Sequence, residues 1–357
     1  MPSSPKVHFY HPVDETGASY ERLRAAGIEV KLPEGAGNVD GQRLDVADML
    51  FDPDTVIGVG IGATTMGTMI SAKTFDSAPD LRMIANFTVG YDNVDVDEAT
   101  KRGILVIHSP TENNWGGVAE GAMAMLLTVM KRTRERDRHV KAGGWRESSL
   151  LGTYLGARQI DNFDGLAIGL VGFGRIARRF ADLLAPWRVR LMACDPYVED
   201  AAFAHHNVKQ VDLETLLMES DVVSLHCNLT DETRGMIGAP QIALMKNSAM
   251  LLNTARGPIV DVDALYDALS KDRLAVAALD VLPLEPPDPQ MPLMGLGDKI
   301  LLSPHMVAGN KGTGLELAVP VVNQAIMAVL RGEVPKFVVN RDVIPAWRER
   351  FGDKRLI

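Results

Sequence analysis

Short apolar runs alternate with amphipathic segments along most of the 357-residue chain. In the first part of the chain they predict five strands, at 7–10, 28–32, 56–60, 81–86 and 105–108. A longer apolar stretch predicts a helix at 118–132, continued by polar residues to 139. A second series predicts six strands, at 167–171, 190–194, 222–226, 250–253, 276–278 and 300–302. Nearly continuous apolar strands separated by helices are typical of parallel sheets covered on both faces, so the pattern predicts an α/β protein.

The last third of the chain predicts that the second series forms a domain inserted into the first. A predicted helix at 315–330 and a predicted strand at 335–340 would return to the first domain, through hinges near 109–110 and 308–312. We therefore expect one domain from 1–109 and 309–340, and a second from 110–308. The tail 341–357 carries Trp347 and Phe351 one helical turn apart, which predicts a short amphipathic helix docked on this chain or on a partner subunit.

Composition excludes several classes of function. The formal charge of −9 argues against nucleic acid or an anionic membrane as the main partner. The two cysteines, Cys194 and Cys227, have no paired spacing, so we expect neither disulfides nor a metal site, and a reducing compartment. The N-terminus lacks the apolar core of a secretion signal, and no apolar stretch is long enough to span a bilayer, so we expect a cytoplasmic protein.

A glycine-rich turn joins the predicted strand 167–171 to a predicted helix at 175–184. Gly172 permits a tight turn, Gly174 lets the backbone approach a pyrophosphate, and the small Ala177 lets helix and sheet pack closely. Asp195 ends the next predicted strand, where a carboxylate binds a ribose diol and repels a 2′-phosphate. The turn and the carboxylate predict a Rossmann domain that binds NAD rather than NADP.

Three polar residues each follow a predicted strand of this second domain. Arg256 can hold a carboxylate with two hydrogen bonds and polarise a carbonyl oxygen. His305 can give or take a proton near neutral pH, and Glu285 can orient its ring. Singly, each has an ordinary alternative: a surface ion pair, a solvated loop carboxylate and a packed loop histidine. Together, beside a nucleotide site, they predict hydride and proton transfer to a small 2-oxo acid, or the reverse reaction.

These residues resemble the D-isomer-specific 2-hydroxyacid dehydrogenase family over about 56–340. The matching segments are the glycine turn with Asp195, and 89–95, 118–120, 230–233, 253–257, 280–286 and 303–305. The resemblance implies a Rossmann NAD domain inserted into a flavodoxin-like substrate domain. It also implies a homodimer built mainly through the NAD domains, and catalysis by the arginine, glutamate and histidine named above.

The resemblance also implies roles for residues that the motifs alone do not assign. Backbone N–H groups of Val89 and Gly90 would bind the substrate carboxylate, and Asn114 would lie near nicotinamide and substrate. Asp280 would bind the carboxamide edge of the cofactor. The full set of implied NAD contacts is Gly172, Gly174, Arg175, Ile176, Asp195, Cys227, Thr233, Thr254, Ala255, Asp280 and His305.

Two other functions are possible on this scaffold. A formate- or phosphite-type dehydrogenase is one, but formate enzymes tend to pair their histidine with glutamine, and Glu285 argues against that. An NAD-sensing co-regulator without turnover is the other, and the intact catalytic set argues against it. Which 2-hydroxy acid is used depends on the surroundings of Thr88, Trp115 and the turn 62–69, which the sequence does not determine.

Overall fold

The computed structural model describes residues 4–33, 44–45, 52–62, 68–311 and 314–357, and the chain forms two compact units. Unit 1 comprises Met1–Asn114 and Asn310–Ile357, and unit 2 comprises Trp115–Gly309. Unit 2 is therefore an insertion in the sequence of unit 1. Of the turn 62–69 and the hinge 308–312, residues 63–67 and 312 lie outside the described residues.

Unit 1 is built on a five-stranded parallel sheet. Its first elements are β1 (Lys6–Phe9), α1 (Ala18–Ala25), β2 (Glu29–Lys31), β3 (Leu44–Asp45), β4 (Thr55–Gly60), β5 (Thr68–Met69), α2 (Ala72–Ser77), β6 (Met83–Asn86), α3 (Val96–Lys101) and β7 (Leu105–Ile107). The sheet order is β2-β1-β4-β6-β7, and β3 pairs separately with β5. Without that small pair the order is 2-1-3-4-5, the flavodoxin-like arrangement. Every residue of β4 and β6 is buried, as expected for strands covered on both faces.

Unit 2 is built on a seven-stranded parallel sheet. Its elements are α4 (Glu112–Lys131), which begins three residues before the unit boundary, α5 (Thr133–Lys141), β8 (Ala167–Val171), α6 (Arg175–Leu184), β9 (Arg190–Cys194), α7 (Asp200–His205), β10 (Lys209–Gln210), α8 (Leu213–Glu219), β11 (Val222–Leu225), α9 (Ala239–Leu244), β12 (Met250–Asn253), α10 (Val262–Ser270), β13 (Val276–Leu279) and β14 (Ile300–Leu302). The order β10-β9-β8-β11-β12-β13-β14 reverses beside β8. Ligands of doubly wound sheets bind outside the carboxyl ends of the strands at such a reversal.

Two sequence predictions differ from the structure in extent. The strand expected at 335–340 is reduced to one antiparallel bridge between Ile107 and Val338, and the residues just before it, 336–337, form a turn. The helix expected at 118–132 starts earlier, at Glu112. Its first turns contain asparagine and glycine, which are weak helix formers, so the sequence pattern did not predict them. The helix then breaks at Arg132, whose φ of 53° is left-handed, and continues as α5.

The tail docks on unit 1 of its own chain. The helices α11 (Val319–Leu330) and α12 (Ile344–Phe351) complete this unit. Trp347 is fully buried in the unit 1 core, and its Nε1 donates a hydrogen bond to the Arg82 carbonyl at 3.0 Å. The Arg82 guanidinium lies 5.0 Å above the Phe351 ring and donates to the Lys354 carbonyl at 2.7 Å. The tail is therefore part of the folded body of unit 1.

Candidate active site

The glycine turn after β8 has the geometry of a phosphate site. Gly172 has a φ of 86°, and a Cβ there would lie 2.7 Å from the Cys227 nitrogen, so only glycine fits. A Cβ on the exposed Gly174 would meet no described atom within 4 Å, which leaves room for a ligand to approach the backbone. Among the described residues no side chain caps α6, so its first N–H groups can bind an anion.

Asp195 is held beside this turn by two backbone donors. Its Oδ2 accepts a hydrogen bond from the Phe173 nitrogen at 2.8 Å, and its Oδ1 accepts one from the Tyr197 nitrogen at 3.0 Å. Each carboxylate oxygen keeps a further lone pair that a ribose hydroxyl can use. The Tyr197 Oη donates to Glu232 Oε2 at 2.5 Å, which raises the pKa of Tyr197 and joins the loops after β9 and β11.

Four further residues expected at the cofactor lie in the loop after β11 and in the first turn of α6. The Thr233 hydroxyl accepts from the Thr230 nitrogen at 2.8 Å and donates to the Asn228 carbonyl at 2.6 Å, so it closes the turn after β11. Burial raises the pKa of the Cys227 thiol to about 11, which keeps it neutral. Arg175 is exposed and Ile176 partly buried in the first turn of α6.

Buried polar atoms also point to a ligand after β12. The Thr254 hydroxyl is buried and has no hydrogen-bond partner within the described part of the chain. Buried hydroxyls are normally paired, so this one fits a polar group supplied by a bound molecule. With the uncapped helix, the open glycine and Asp195, the residues present fit NAD.

Arg256 leaves β12 on a turn that Asn253 holds. The Asn253 amide accepts from the Ala255 nitrogen at 3.0 Å and donates to the Arg256 carbonyl at 2.9 Å. Arg256 is half-buried, and its Nη1 donates to the Ala255 carbonyl at 2.6 Å. A Cβ on Gly257 would overlap the backbone of Leu282, so this turn packs directly on the loop that follows β13.

Asp280 anchors the loop that carries His305. Its backbone carbonyl accepts from the His305 nitrogen at 2.8 Å, and its Oδ1 accepts from the Met306 and Val307 nitrogens at 2.9 and 3.3 Å. Asp280 is only 3% exposed, so these bonds are shielded from water. His305 has a φ of 55°, a left-handed conformation in which histidine is enriched but still uncommon. Asp280, which directly follows β13, therefore fixes the backbone of the loop after β14, which carries the His305 imidazole.

His305 and Glu285 form a hydrogen-bonded pair. The distance from His305 Nδ1 to Glu285 Oε2 is 2.9 Å, and Glu285 Oε1 accepts from the Leu282 nitrogen at 2.9 Å. The Glu285 side chain is 15% exposed and the His305 side chain 30% exposed. A carboxylate only accepts, so Nδ1 carries the hydrogen of this bond, and Nε2 takes no part in it.

A second constellation lies in unit 1, in the loop after β6. Thr88 Oγ1 accepts from the Gly62 nitrogen and donates to the Gly90 carbonyl, each at 2.8 Å, while His108 Nδ1 lies 3.1 Å from the Val89 carbonyl. The N–H groups of Val89 and Gly90 have no partner among the described residues. Two adjacent unpaired amides can bind an anion.

The structure places the three unit 2 candidates on loops after neighbouring strands and assigns Asn114 to unit 1. Arg256, Glu285 and His305 lie on loops that follow the neighbouring strands β12, β13 and β14. Asn114 lies in the first turn of α4, with its nitrogen donating to the Thr111 carbonyl at 3.1 Å. His108 was missed by sequence reasoning, although its position at the end of a predicted strand was a usable signal.

Neither a metal nor a membrane span is indicated in the part of the chain that the structure describes. No three histidine, cysteine, aspartate or glutamate side chains there are grouped so that they could hold a metal ion. Each described helix is too short or too polar to cross a bilayer.

The chain is similar to several known proteins. Residues 123–307 match the model of the D-isomer specific 2-hydroxyacid dehydrogenase, NAD binding domain. A glyoxylate reductase of Korarchaeum cryptofilum is 40% identical over 278 residues, which is 77% of this chain and 81% of that protein. A D-3-phosphoglycerate dehydrogenase of Archaeoglobus fulgidus is 32% identical over 90% of this chain and 57% of its own length.

Solved structures show the same architecture. The TT0316 protein of Thermus thermophilus superposes with a TM-score of 0.78 at 32% identity, covering 94% of this chain and 99% of that one. A D-lactate dehydrogenase of Aquifex aeolicus, complexed with NAD and lactic acid, gives a TM-score of 0.73 at 25% identity, covering 96% and 98%. Both agree with two parallel-sheet units of the α/β class.

Proposed function

Because this chain belongs to the D-isomer specific 2-hydroxyacid dehydrogenase family and is an NAD-dependent enzyme, we propose that it reduces glyoxylate and other short 2-oxo acids, with His305 as the proton donor. The observation that carries this proposal is the hydrogen bond between His305 and Glu285. These residues lie on the loops after β14 and β13, and Arg256 lies on the loop after the neighbouring strand β12. Relatives named glyoxylate reductase support the choice of a short substrate.

The proposed chemistry divides between the cofactor and this chain's own residues. Bound NADH supplies the hydride that reduces the carbonyl carbon. His305 Nε2 gives a proton to the carbonyl oxygen, and in the oxidation it takes that proton back. Glu285 stabilises the protonated ring and holds its orientation, because Oε2 accepts from Nδ1 while Oε1 is fixed by Leu282.

Arg256 holds the substrate in this proposal. Its guanidinium stays charged, and it offers paired donors that suit a carboxylate or a carboxylate and an adjacent carbonyl oxygen. Its turn is fixed by the Asn253 amide, so the side chain starts from a rigid backbone. In unit 1, the unpaired N–H groups of Val89 and Gly90 provide two further donors for a carboxylate.

The decisive experiment is NADH oxidation by the purified protein with a panel of 2-oxo acids. We expect turnover with glyoxylate or hydroxypyruvate, and slower turnover as the side chain lengthens through pyruvate to phenylpyruvate. The comparison assay contains formate and NAD. We expect no reduction of NAD in it, because Glu285 rather than glutamine is hydrogen-bonded to His305. NADH binding without turnover on any of these acids would contradict the proposal and favour a cofactor-sensing protein.

Coenzyme choice is expected to depend on Asp195. Asp195→Ala should lower the preference for NADH over NADPH, as a ratio of dissociation constants, by about 10- to 100-fold, the range of one hydrogen bond to a charged group. Asp195→Asn is the matched control, since it keeps an acceptor for the Phe173 nitrogen and removes only the charge. Fluorescence titrations of both coenzymes measure this directly, and an unchanged ratio in both variants would mean that another group selects the ribose.

The homodimer implied by the family resemblance is also part of the proposal. In unit 2, five large apolar side chains within one segment of the chain are each at least half exposed to solvent. They are Val140, Trp145, Leu151, Tyr154 and Ile160. These exposures support the proposal that a second copy covers part of this segment. Sedimentation velocity should show a dimer at micromolar concentration, weakened by Trp145→Ser; a monomeric wild type would exclude the dimer.

We also propose the cytoplasm as the compartment of this protein. Both cysteines are free, which suits a reducing compartment.

A further inference from the structure

In the loop Thr88-Val89-Gly90 of unit 1, each of the three carbonyl groups has a hydrogen-bond donor, two from outside the loop and one from within it. The Thr88 carbonyl accepts from the Ser109 nitrogen at 3.0 Å, and the Gly90 carbonyl accepts from Thr88 Oγ1 at 2.8 Å. The Val89 carbonyl lies 3.1 Å from His108 Nδ1. A carbonyl cannot donate, so the imidazole must be the donor in this bond.

These bonds determine where the amides of the loop point. Both peptide bonds of the loop are trans, and a trans peptide directs its N–H opposite to its C=O. The Thr88 carbonyl shares a peptide plane with the Val89 N–H, and the Val89 carbonyl shares one with the Gly90 N–H. Each N–H is therefore turned away from the donor that holds its carbonyl, which agrees with the lack of partners for both among the described residues.

The two planes are held by different kinds of donor. The Thr88–Val89 plane is fixed by a backbone donor, which every residue but proline at position 109 would supply. The Val89–Gly90 plane depends on one side chain, that of His108. Close packing adds to this, since a Cβ on Gly62 would overlap the Gly90 carbonyl oxygen, so this stretch of loop has no room to shift toward β4.

The His108 ring is itself fixed in orientation. It contacts the edges or faces of Tyr91 and Phe337, with centroid separations of 6.1 and 6.5 Å and interplanar angles of 76° and 73°. The His108 backbone nitrogen donates to the Phe337 carbonyl at 3.3 Å. A ring packed between two aromatic side chains has few alternative rotamers, so Nδ1 is presented to Val89 in one geometry.

We propose that His108 is a positioning residue for substrate binding: its Nδ1 holds the Val89–Gly90 peptide so that the Gly90 N–H faces the substrate carboxylate. This inference rests on the proposed function and adds to it a residue that does not touch the reacting atoms. Without the imidazole donor the peptide can rotate, and the carboxylate loses an oriented donor before and during the reaction alike. The expected effect is therefore on binding of the acid more than on turnover.

The test compares His108→Leu with His108→Asn. The two side chains have nearly the same shape, but only asparagine keeps an N–H at the position of Nδ1. For His108→Leu we expect the KM of the 2-oxo acid to rise about 3- to 10-fold, the range of one hydrogen bond, with kcat changed less. For His108→Asn we expect a KM close to that of the wild type.

A second readout does not depend on turnover. Oxamate, an unreactive isostere of a 2-oxo acid, is titrated into each NADH-saturated enzyme, and its dissociation constant should rise in His108→Leu by the same factor as KM. The NADH dissociation constant, which depends on unit 2, should remain that of the wild type. The melting temperature of His108→Asn should also remain that of the wild type.

The outcomes separate this inference from the proposed function. A wild type that turns over 2-oxo acids, combined with unchanged KM and oxamate affinity in His108→Leu, would overturn the role of His108 and leave the function standing. Equal losses in the asparagine and leucine variants would also overturn it, because packing rather than the donor would then matter. If His108→Leu does not fold, the asparagine variant still decides, since a tenfold loss there contradicts the donor role.

Discussion

Replacing His305 with alanine is expected to lower kcat by about 10²–10⁴-fold, the usual contribution of a positioned general acid. The variant lacks the proposed proton donor, while the glycine turn, Asp195 and α6, the proposed NADH site, remain. The measurement is steady-state turnover with the best acid of the panel, together with NADH affinity by fluorescence. Near wild-type turnover would rule out His305 as the proton donor.

The backbone at this position calls for a particular control. His305 is left-handed, with a φ of 55°, and alanine is disfavoured there by about 1–2 kcal/mol. Asparagine tolerates this conformation, and its amide can still donate to Glu285, but it cannot act as an acid at neutral pH. We therefore expect His305→Asn to be as inactive as His305→Ala. Recovery of turnover in the asparagine variant would mean that conformation, not proton transfer, caused the loss.

Trp347→Ala is expected to lower the free energy of unfolding of unit 1 by about 3–5 kcal/mol, the range for truncating a buried aromatic side chain. Trp347 is fully buried among core residues of this unit, and its Nε1 bonds the Arg82 carbonyl at the start of β6. The variant should therefore unfold earlier in urea, with loss of the tail and sheet of unit 1 together. NADH binding by unit 2 should persist at low denaturant.

Trp347→Phe separates packing from hydrogen bonding in this prediction. Phenylalanine retains most of the ring volume but removes the indole donor, while the Arg82 carbonyl keeps its bond from the Leu105 nitrogen at 3.0 Å, so the change costs about 0.5–1.5 kcal/mol, the net value of one hydrogen bond. We expect the phenylalanine variant to lie between the wild type and Trp347→Ala in urea midpoint. An alanine variant as stable as the wild type would mean that α12 is not part of the unit 1 core.

The sequence predicted six of the seven strands of unit 2 within about one residue, because buried parallel strands are mostly apolar and end at polar or glycine-rich loops. It missed β10, which has only two residues, both exposed. The fold class followed from that pattern and is confirmed by the two parallel sheets. The same pattern located Arg256, Glu285 and His305 after strands, so their neighbourhood could be anticipated. Their roles in the reaction stay predictions, which the variants above are designed to test.

What the sequence could not show depends on contacts between distant loops. The bond from His108 to Val89 spans 19 positions, and nothing in either residue type announces it. The start of α4 was missed because tertiary packing overrides the weak helix propensity of its first residues. The docking of the tail through Arg82 was open for the same reason, since a residue 265 positions away provides the acceptor for Trp347.

Asp280 links two tasks that are usually dissected separately. Its carbonyl and its carboxylate both hold the backbone from His305 to Val307, and it is also the residue proposed to bind the carboxamide of the cofactor. We therefore expect any substitution of Asp280 made to alter coenzyme affinity to displace the proposed acid, His305, as well. Attempts to redesign this enzyme for artificial nicotinamides would do better to leave Asp280 untouched and to vary the loops after β9 and β11, which carry none of the residues proposed to transfer the proton.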